Sequence, residues 1–108
     1  MPNVTIFVSD NAVPHDDVLV ELTERCTLLC TQVLQATLAN AHIAYVPVRH
    51  GRGHPVFAEV RYRLEPFRTP AVMDAFMEGL DDAIQHGMQM MSRIRCFGYA
   101  ASNICVRN

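Results

Sequence analysis

The sequence predicts a two-layer α/β sandwich, a four-stranded mixed sheet with two helices on one face in the order β-α-β-β-α-β. Three observations predict it. Apolar side chains alternate at period two near the start of the chain and again over residues 55–65. Apolar residues recur at steps of three and four over residues 18–33 and 73–84, the spacing of a helix face. The chain then divides into two halves of similar layout, about 1–49 and 55–100, each reading strand, helix, strand. A crossover helix implies parallel strands within its half, and two helices on one sheet face give two layers. The halves share architecture without a residue-level repeat.

The composition bounds the rest. A chain of 108 residues with half of them apolar reads as a single domain, residues 1–108, with a real core. Its formal net charge of −2 supplies no general attraction for nucleic acid or for an anionic membrane. Apolar runs fall far short of a membrane span, and no charged-then-apolar leader precedes the first strand, so a soluble cytoplasmic protein is expected. In that setting Cys26, Cys30, Cys96 and Cys105 are expected to be reduced core thiols. Cys26 and Cys30 stand one helical turn apart, but no third ligand accompanies them, so packing is preferred to metal binding and no metal is expected.

The first eleven residues organise the chain. Val4, Ile6 and Val8 alternate with Asn3, Thr5, Phe7 and Ser9, and Ser9-Asp10-Asn11 stops the strand. Chain ends usually fray, whereas here the sheet begins almost at the terminus, with Pro2 at its tip. Initiator methionine is normally removed before a residue as small as proline, which would leave a secondary amine as the first atom. An α-amino group titrates at about 8, so suitable surroundings make it a base near neutrality. By itself, Met-Pro is also a common chance start.

Pro14 and the pair Asp16-Asp17 suit the first turn of a helix, whose positive dipole end favours acidic groups. Val18, Leu22, Cys26, Leu29 and Val33 then mark its buried face to about Ala36. Residues 41–49 form the second strand, where Pro47 demands an edge position or a bulge. His50-Gly51-Arg52-Gly53-His54 is a glycine-punctuated loop long enough for a hairpin; it matches no phosphate-binding pattern and reads as a plain turn. Over residues 55–65, Val56, Ala58, Val60, Tyr62 and Leu64 share one face of the third strand, and Phe57, Glu59, Arg61, Arg63 and Glu65 the other.

Thr69 is the expected N-cap of the second helix and Pro70 its first residue. Met73, Phe76, Leu80 and Ile84 form its buried stripe, and Gly87 either caps or interrupts it. Residues 93–100 make the fourth strand, with Ile94 and Cys96 inward; Ile104-Cys105-Val106 in the tail suits a short fifth. The second sheet face then carries Phe7, Phe57, Arg61, Arg63, Arg93, Arg95, Phe97 and Tyr99. A mixed aromatic and cationic face of that size is either solvated or buried against another subunit.

Met1-Pro2, Ile6 in the first strand and the run Ser9-Asp10-Asn11, set in this order of elements, resemble the tautomerase superfamily, in particular its 5-carboxymethyl-2-hydroxymuconate isomerase branch and more loosely the macrophage migration inhibitory factor branch. The letter-level match covers the first eleven residues; the layout covers the whole domain. The resemblance implies a cofactor-independent isomerase acting on a small keto or enol acid, with Pro2 as general base and acid. It implies arginines at the end of the third strand and in the loop beyond, Arg68 first and Arg63 second, with Arg49 and Arg52 behind them. It places Tyr99 and Asn103 where some relatives contribute pocket residues from a neighbouring subunit, and His42 near a polar pocket position. A homotrimer is implied as well. Each of these side chains also has an ordinary reading, as a solvated arginine or a packed tyrosine.

Related enzymes use the same proline for dehalogenation, hydration or decarboxylation, and nothing in the residues excludes these. A second class is a non-catalytic ferredoxin-like RNA-binding module, since the element order is the same and arginines beside Phe97 and Tyr99 suit phosphates and bases. The negative net charge and the lack of a Gly-Phe/Tyr-rich third strand argue against it, so neither nucleic acid nor membrane is expected as a partner. A third is a structural homologue that keeps the trimer and lacks the chemistry.

Overall fold

The computed structural model describes residues 1–108. Its strands are β1 (Asn3–Ser9), β2 (His42–Val48), β3 (Val56–Arg63) and β4 (Ser92–Tyr99), and its helices are α1 (Asp16–Leu28) and α2 (Pro70–Met88). They form one sheet in the order β2-β1-β3-β4. β1 pairs with β2 and β3 with β4 in parallel, and β1 and β3 meet antiparallel at the centre. Each half is thus a β-α-β unit, joined back to back, and the expected mixed sandwich is the observed one.

Alternation sets the faces. Val4, Ile6, Val8, Val56, Ala58, Val60 and Tyr62 are buried beneath Leu22, Cys26, Met73, Phe76, Leu80 and Ile84 of the helices. Thr69 caps α2 by accepting the Val72 N–H at 3.2 Å, and Pro70 opens that helix. The opposite sheet face carries the aromatic and cationic side chains. Phe7 meets Phe57 edge to face with 6.1 Å between centroids, and the Arg93 and Arg61 guanidiniums lie 5.5 and 5.7 Å from the Phe57 and Phe97 rings.

Several expectations are corrected. Residues 50–54 do not close a hairpin, because β1 lies between β2 and β3; the loop carries the chain across β1, and Pro47 sits on an edge strand. That arrangement also removes the ferredoxin-like alternative. A split β-α-β unit has a foreign strand between its two parallel strands, whereas here both parallel pairs are adjacent. Pro14 precedes α1, which starts at Asp16. Beyond Leu28 the helix widens into a π-turn, Leu29–Val33. A wider turn fits more residues per revolution, so the fully buried row runs Leu22, Cys26, Cys30, Leu34, leaving Leu29 and Val33 only half-buried.

Gly87 neither caps nor breaks α2. Met88, four residues past Ile84, is buried and keeps the helix going, and Gln89 closes it in the left-handed region at φ 56°. Residues 104–106 add no fifth strand, because the chain turns out of the sheet through a short 3₁₀ segment, Ala101–Asn103. Cys105 is exposed and is no core thiol, while Cys26 and Cys30 are buried, with burial pushing their thiols up to about 12 and about 11. No helix is long and apolar enough to cross a membrane.

Gly98 lies opposite Tyr62, and a Cβ there would come within 2.6 Å of Leu64 Cδ2 and 2.8 Å of Tyr62 Cζ. Gly98→Ala is expected to cost roughly 1–3 kcal/mol, as overpacking does, read as a lower urea midpoint at unchanged m-value. Gly51, with nothing within 4 Å of its would-be Cβ, is the control.

Candidate functional site

The sheet order puts the amino terminus in the interior of one sheet end. Asn3 stands opposite His42, the first residue of β2, and opposite Arg61 near the end of β3. The His42 N–H donates to the Pro2 carbonyl at 3.1 Å, so the ladder continues past the formal start of β1 and holds Pro2, which is fully buried. A cavity of about 740 Å³ opens here. Its walls come from Met1 and Asn3, from His42, from Arg63 and Arg68, and from the tail at residues 104–108.

Arg68 is fixed by the backbone. Its Nε donates to the Leu34 carbonyl at 2.9 Å and its Nη1 to the Arg63 carbonyl at 2.7 Å, and its guanidinium lies 5.3 Å from the Phe67 ring centroid. Leu34 follows the π-turn and Arg63 ends β3, so one side chain bolts the end of the first helical segment to the end of the central strand. Arginine has five N–H donors; two are used here and the others remain for a ligand.

The α-amino group in this structure belongs to Met1. It is held below its ordinary value of 8.0, first by desolvation and then by the positive charges of Arg63 and Arg68. Both causes act against the ammonium form. The terminus of this fold is therefore a weakened cation biased toward free amine, the form that accepts a proton. Cys30, brought under the terminus by the π-turn, pushes the other way and less strongly.

Of the residues singled out from the sequence, Pro2, His42, Arg63 and Arg68 are brought together. Arg49 is not: parallel pairing puts it beyond the far end of β2, where it lies 3.9 Å from Asp10. Arg52 lies in the same crossover loop. Tyr99 and Asn103 do not line this chain's own cavity, since β3 stands between β4 and β1. The Tyr99 hydroxyl accepts from Arg61 Nη1 at 2.7 Å on the open sheet face, and Asn103 sits in the turn after β4. Sequence reasoning missed Glu65 and the tail. Glu65 lines the cavity because the chain leaves the sheet after Arg63, which ends the alternation that assigned it to the outer face. The tail carried no signal beyond an apolar triplet.

No family model and no curated protein matches the chain. Solved structures do. Macrophage migration inhibitory factor of Toxoplasma gondii superposes with a TM-score of 0.76 at 14% identity, covering 97% of this chain and 96% of that one. A symmetric trimer of wild-type fused 4-OT gives 0.81 at 15% identity, with 98% and 94% covered. Pt0534, inactivated by 2-oxo-3-pentynoate, gives 0.81 at 16% identity, with 96% and 90% covered. These neighbours are tautomerase superfamily members, and the fold of this chain is the fold they share.

Arg68→Ala leaves the Leu34 and Arg63 carbonyls without their partner. The expected cost is about 1–3 kcal/mol of unfolding free energy, measured by urea titration. Arg68→Lys is expected to recover only part of it, because an ammonium lacks the planar fork that spans two carbonyls.

Proposed function

We propose that the chain is a cofactor-independent isomerase that interconverts keto and enol forms of a small carboxylic acid, with Pro2, freed by removal of Met1, as the proton shuttle. The observation that carries this reading is the depressed Met1 amine on a residue that lines the cavity together with Arg63 and Arg68, the two charges that lower it. An amine poised near the working pH is the most effective general base. Removal of Met1 moves that amine one residue inward, onto a residue whose carbonyl is already pinned by His42.

In this mechanism the proline nitrogen takes the proton from the carbon next to the substrate carbonyl. The electron pair moves onto the carbonyl oxygen, giving an enolate, and the protonated nitrogen returns the proton at the alternative position. Arg68, prepositioned by its two backbone bonds, meets the carboxylate with its remaining N–H groups, and Arg63 stabilises the developing oxyanion. His42 closes the polar side of the cavity. The same amine would also serve a dehalogenase, hydratase or decarboxylase; the isomerase is preferred because it needs only a proton shuttle and cations, which the cavity supplies. The trimer of fused 4-OT supports a homotrimer here, in which the open face with Phe57 and Phe97 is covered and a neighbour's Tyr99 and Asn103 approach the cavity.

The test is ketonisation of phenylenolpyruvate and 2-hydroxymuconate by protein whose intact mass lacks Met1. Pro2→Ala is expected to lower kcat/KM by roughly 10²–10⁴-fold, the usual worth of a general base. In wild type kcat/KM should fall on the acid side as the amine protonates, with a midpoint below the ordinary α-amino value if Pro2 feels the desolvation and the two arginines that lower the Met1 amine one residue away. Retained Met1, or turnover indifferent to Pro2→Ala, contradicts the reading.

A further inference from the structure

Removal of Met1 is a hydrolysis. Water adds across the Met1–Pro2 bond, Met1 leaves as free methionine, and the Pro2 nitrogen changes from an amide into a secondary amine. An aminopeptidase must seat Met1 and the bond after it in its own cleft. The folded chain withholds that bond. Pro2 is fully buried, its carbonyl accepts the His42 N–H at 3.1 Å, and Met1 is half-buried and lines the cavity. The sheet starts at the very next residue, where Asn3 stands opposite His42 of β2 and Arg61 of β3.

Drawing Pro2 out of the fold means breaking the His42 bond and parting the end of β1 from both neighbours at once. A terminus on an edge strand has one neighbour to leave, and a frayed terminus has none. Before folding no such barrier exists, and the order of the chain prolongs that state. Both partners of β1 are made after it, β2 from His42 onward and β3 up to Arg63. At about 5–20 residues per second, the terminus stays free for several seconds of synthesis. The pairing that encloses it is long-range in sequence and cannot form sooner.

We propose that the fold itself closes the processing step: Met1 can be removed only until β2 and β3 enclose β1, and a chain that folds first keeps Met1 for the life of its native state. Such a chain carries an amide nitrogen where the processed chain carries an amine, and its Met1 occupies part of the cavity wall. It is a built-in inactive form, and the race between aminopeptidase and folding sets the active fraction. That consequence deepens the isomerase reading and rests on it. The lock rests on burial and strand pairing alone, and only unfolding releases it.

Order of addition tests this, with intact mass as the readout. The full chain is made by cell-free synthesis in a system depleted of methionine aminopeptidase, which is added either at the start or after the chain has folded. A peptide of residues 1–11, which has no strands to pair with, reports the cleavage rate of the same Met1-Pro2-Asn3 sequence in the open. Chain made with the enzyme present is expected to lose the mass of one methionine residue. Chain that folded first is expected to be cleaved about 100-fold or more slowly than the peptide, because cleavage then waits on a small open population. Processing of the folded chain within about tenfold of the peptide's rate overturns the proposal. A locked Met1 in a protein whose processed form has no ketonisation activity retains the lock and removes the isomerase reading.

Discussion

The interior position of β1 is the constraint on which the rest depends. It pairs in parallel with β2 on one side and antiparallel with β3 on the other. Its first residue must therefore lie between the start of β2 and the end of β3. That alone brings His42 and Arg63 to the amino terminus, although they stand forty and more positions along the chain. A terminus on an edge strand would have kept its amine in water, at its ordinary basicity. Flanked by strands, it is partly desolvated and next to two arginines, and it is held below that value. Fold and candidate chemistry share one cause.

Arg68 turns that arrangement into a fixed one. Through Leu34 and the Arg63 carbonyl it joins the far end of the π-turn to the end of β3. The π-turn has its own logic: the core row Leu22, Cys26, Cys30, Leu34 steps by four, and a wider turn keeps such a row on one face. The local widening both completes the core and sets the Leu34 carbonyl where the guanidinium can reach it. An arginine tied twice to the backbone loses little freedom when it meets a carboxylate.

The faces of this molecule were legible in the sequence, and the neighbours less so. Alternation at Val4, Ile6 and Val8 and from Val56 to Tyr62 fixes which side of each strand is buried, and Thr69-Pro70 marks the start of α2. Pro47 marked an edge. Alternation does not say which strand lies alongside which, so a hairpin between β2 and β3 and a crossover over β1 looked alike. In α1 two apolar rows overlap, one through Leu29 and Val33 and one through Cys30 and Leu34, and only packing against α2 chooses between them. At the site, Pro2, Arg63, Arg68 and His42 followed from the family resemblance together with the strand ends. Arg49 failed because parallel pairing sends the end of β2 away from Pro2. Glu65 and Arg107 were invisible because their positions depend on turns out of the sheet, after Arg63 and after Tyr99, that no periodicity marks.

The central claim is that the amino terminus of the processed chain is a base whose proton affinity is lowered by its pocket. Nitrogen NMR of protein labelled at proline, titrated across neutrality, measures it without reference to any substrate. The account predicts a Pro2 amine midpoint below the ordinary α-amino value in wild type and a higher midpoint in Arg63→Gln, since removing a neighbouring positive charge eases protonation. A wild-type midpoint at or above the ordinary value, or one that Arg63→Gln leaves in place, would contradict it.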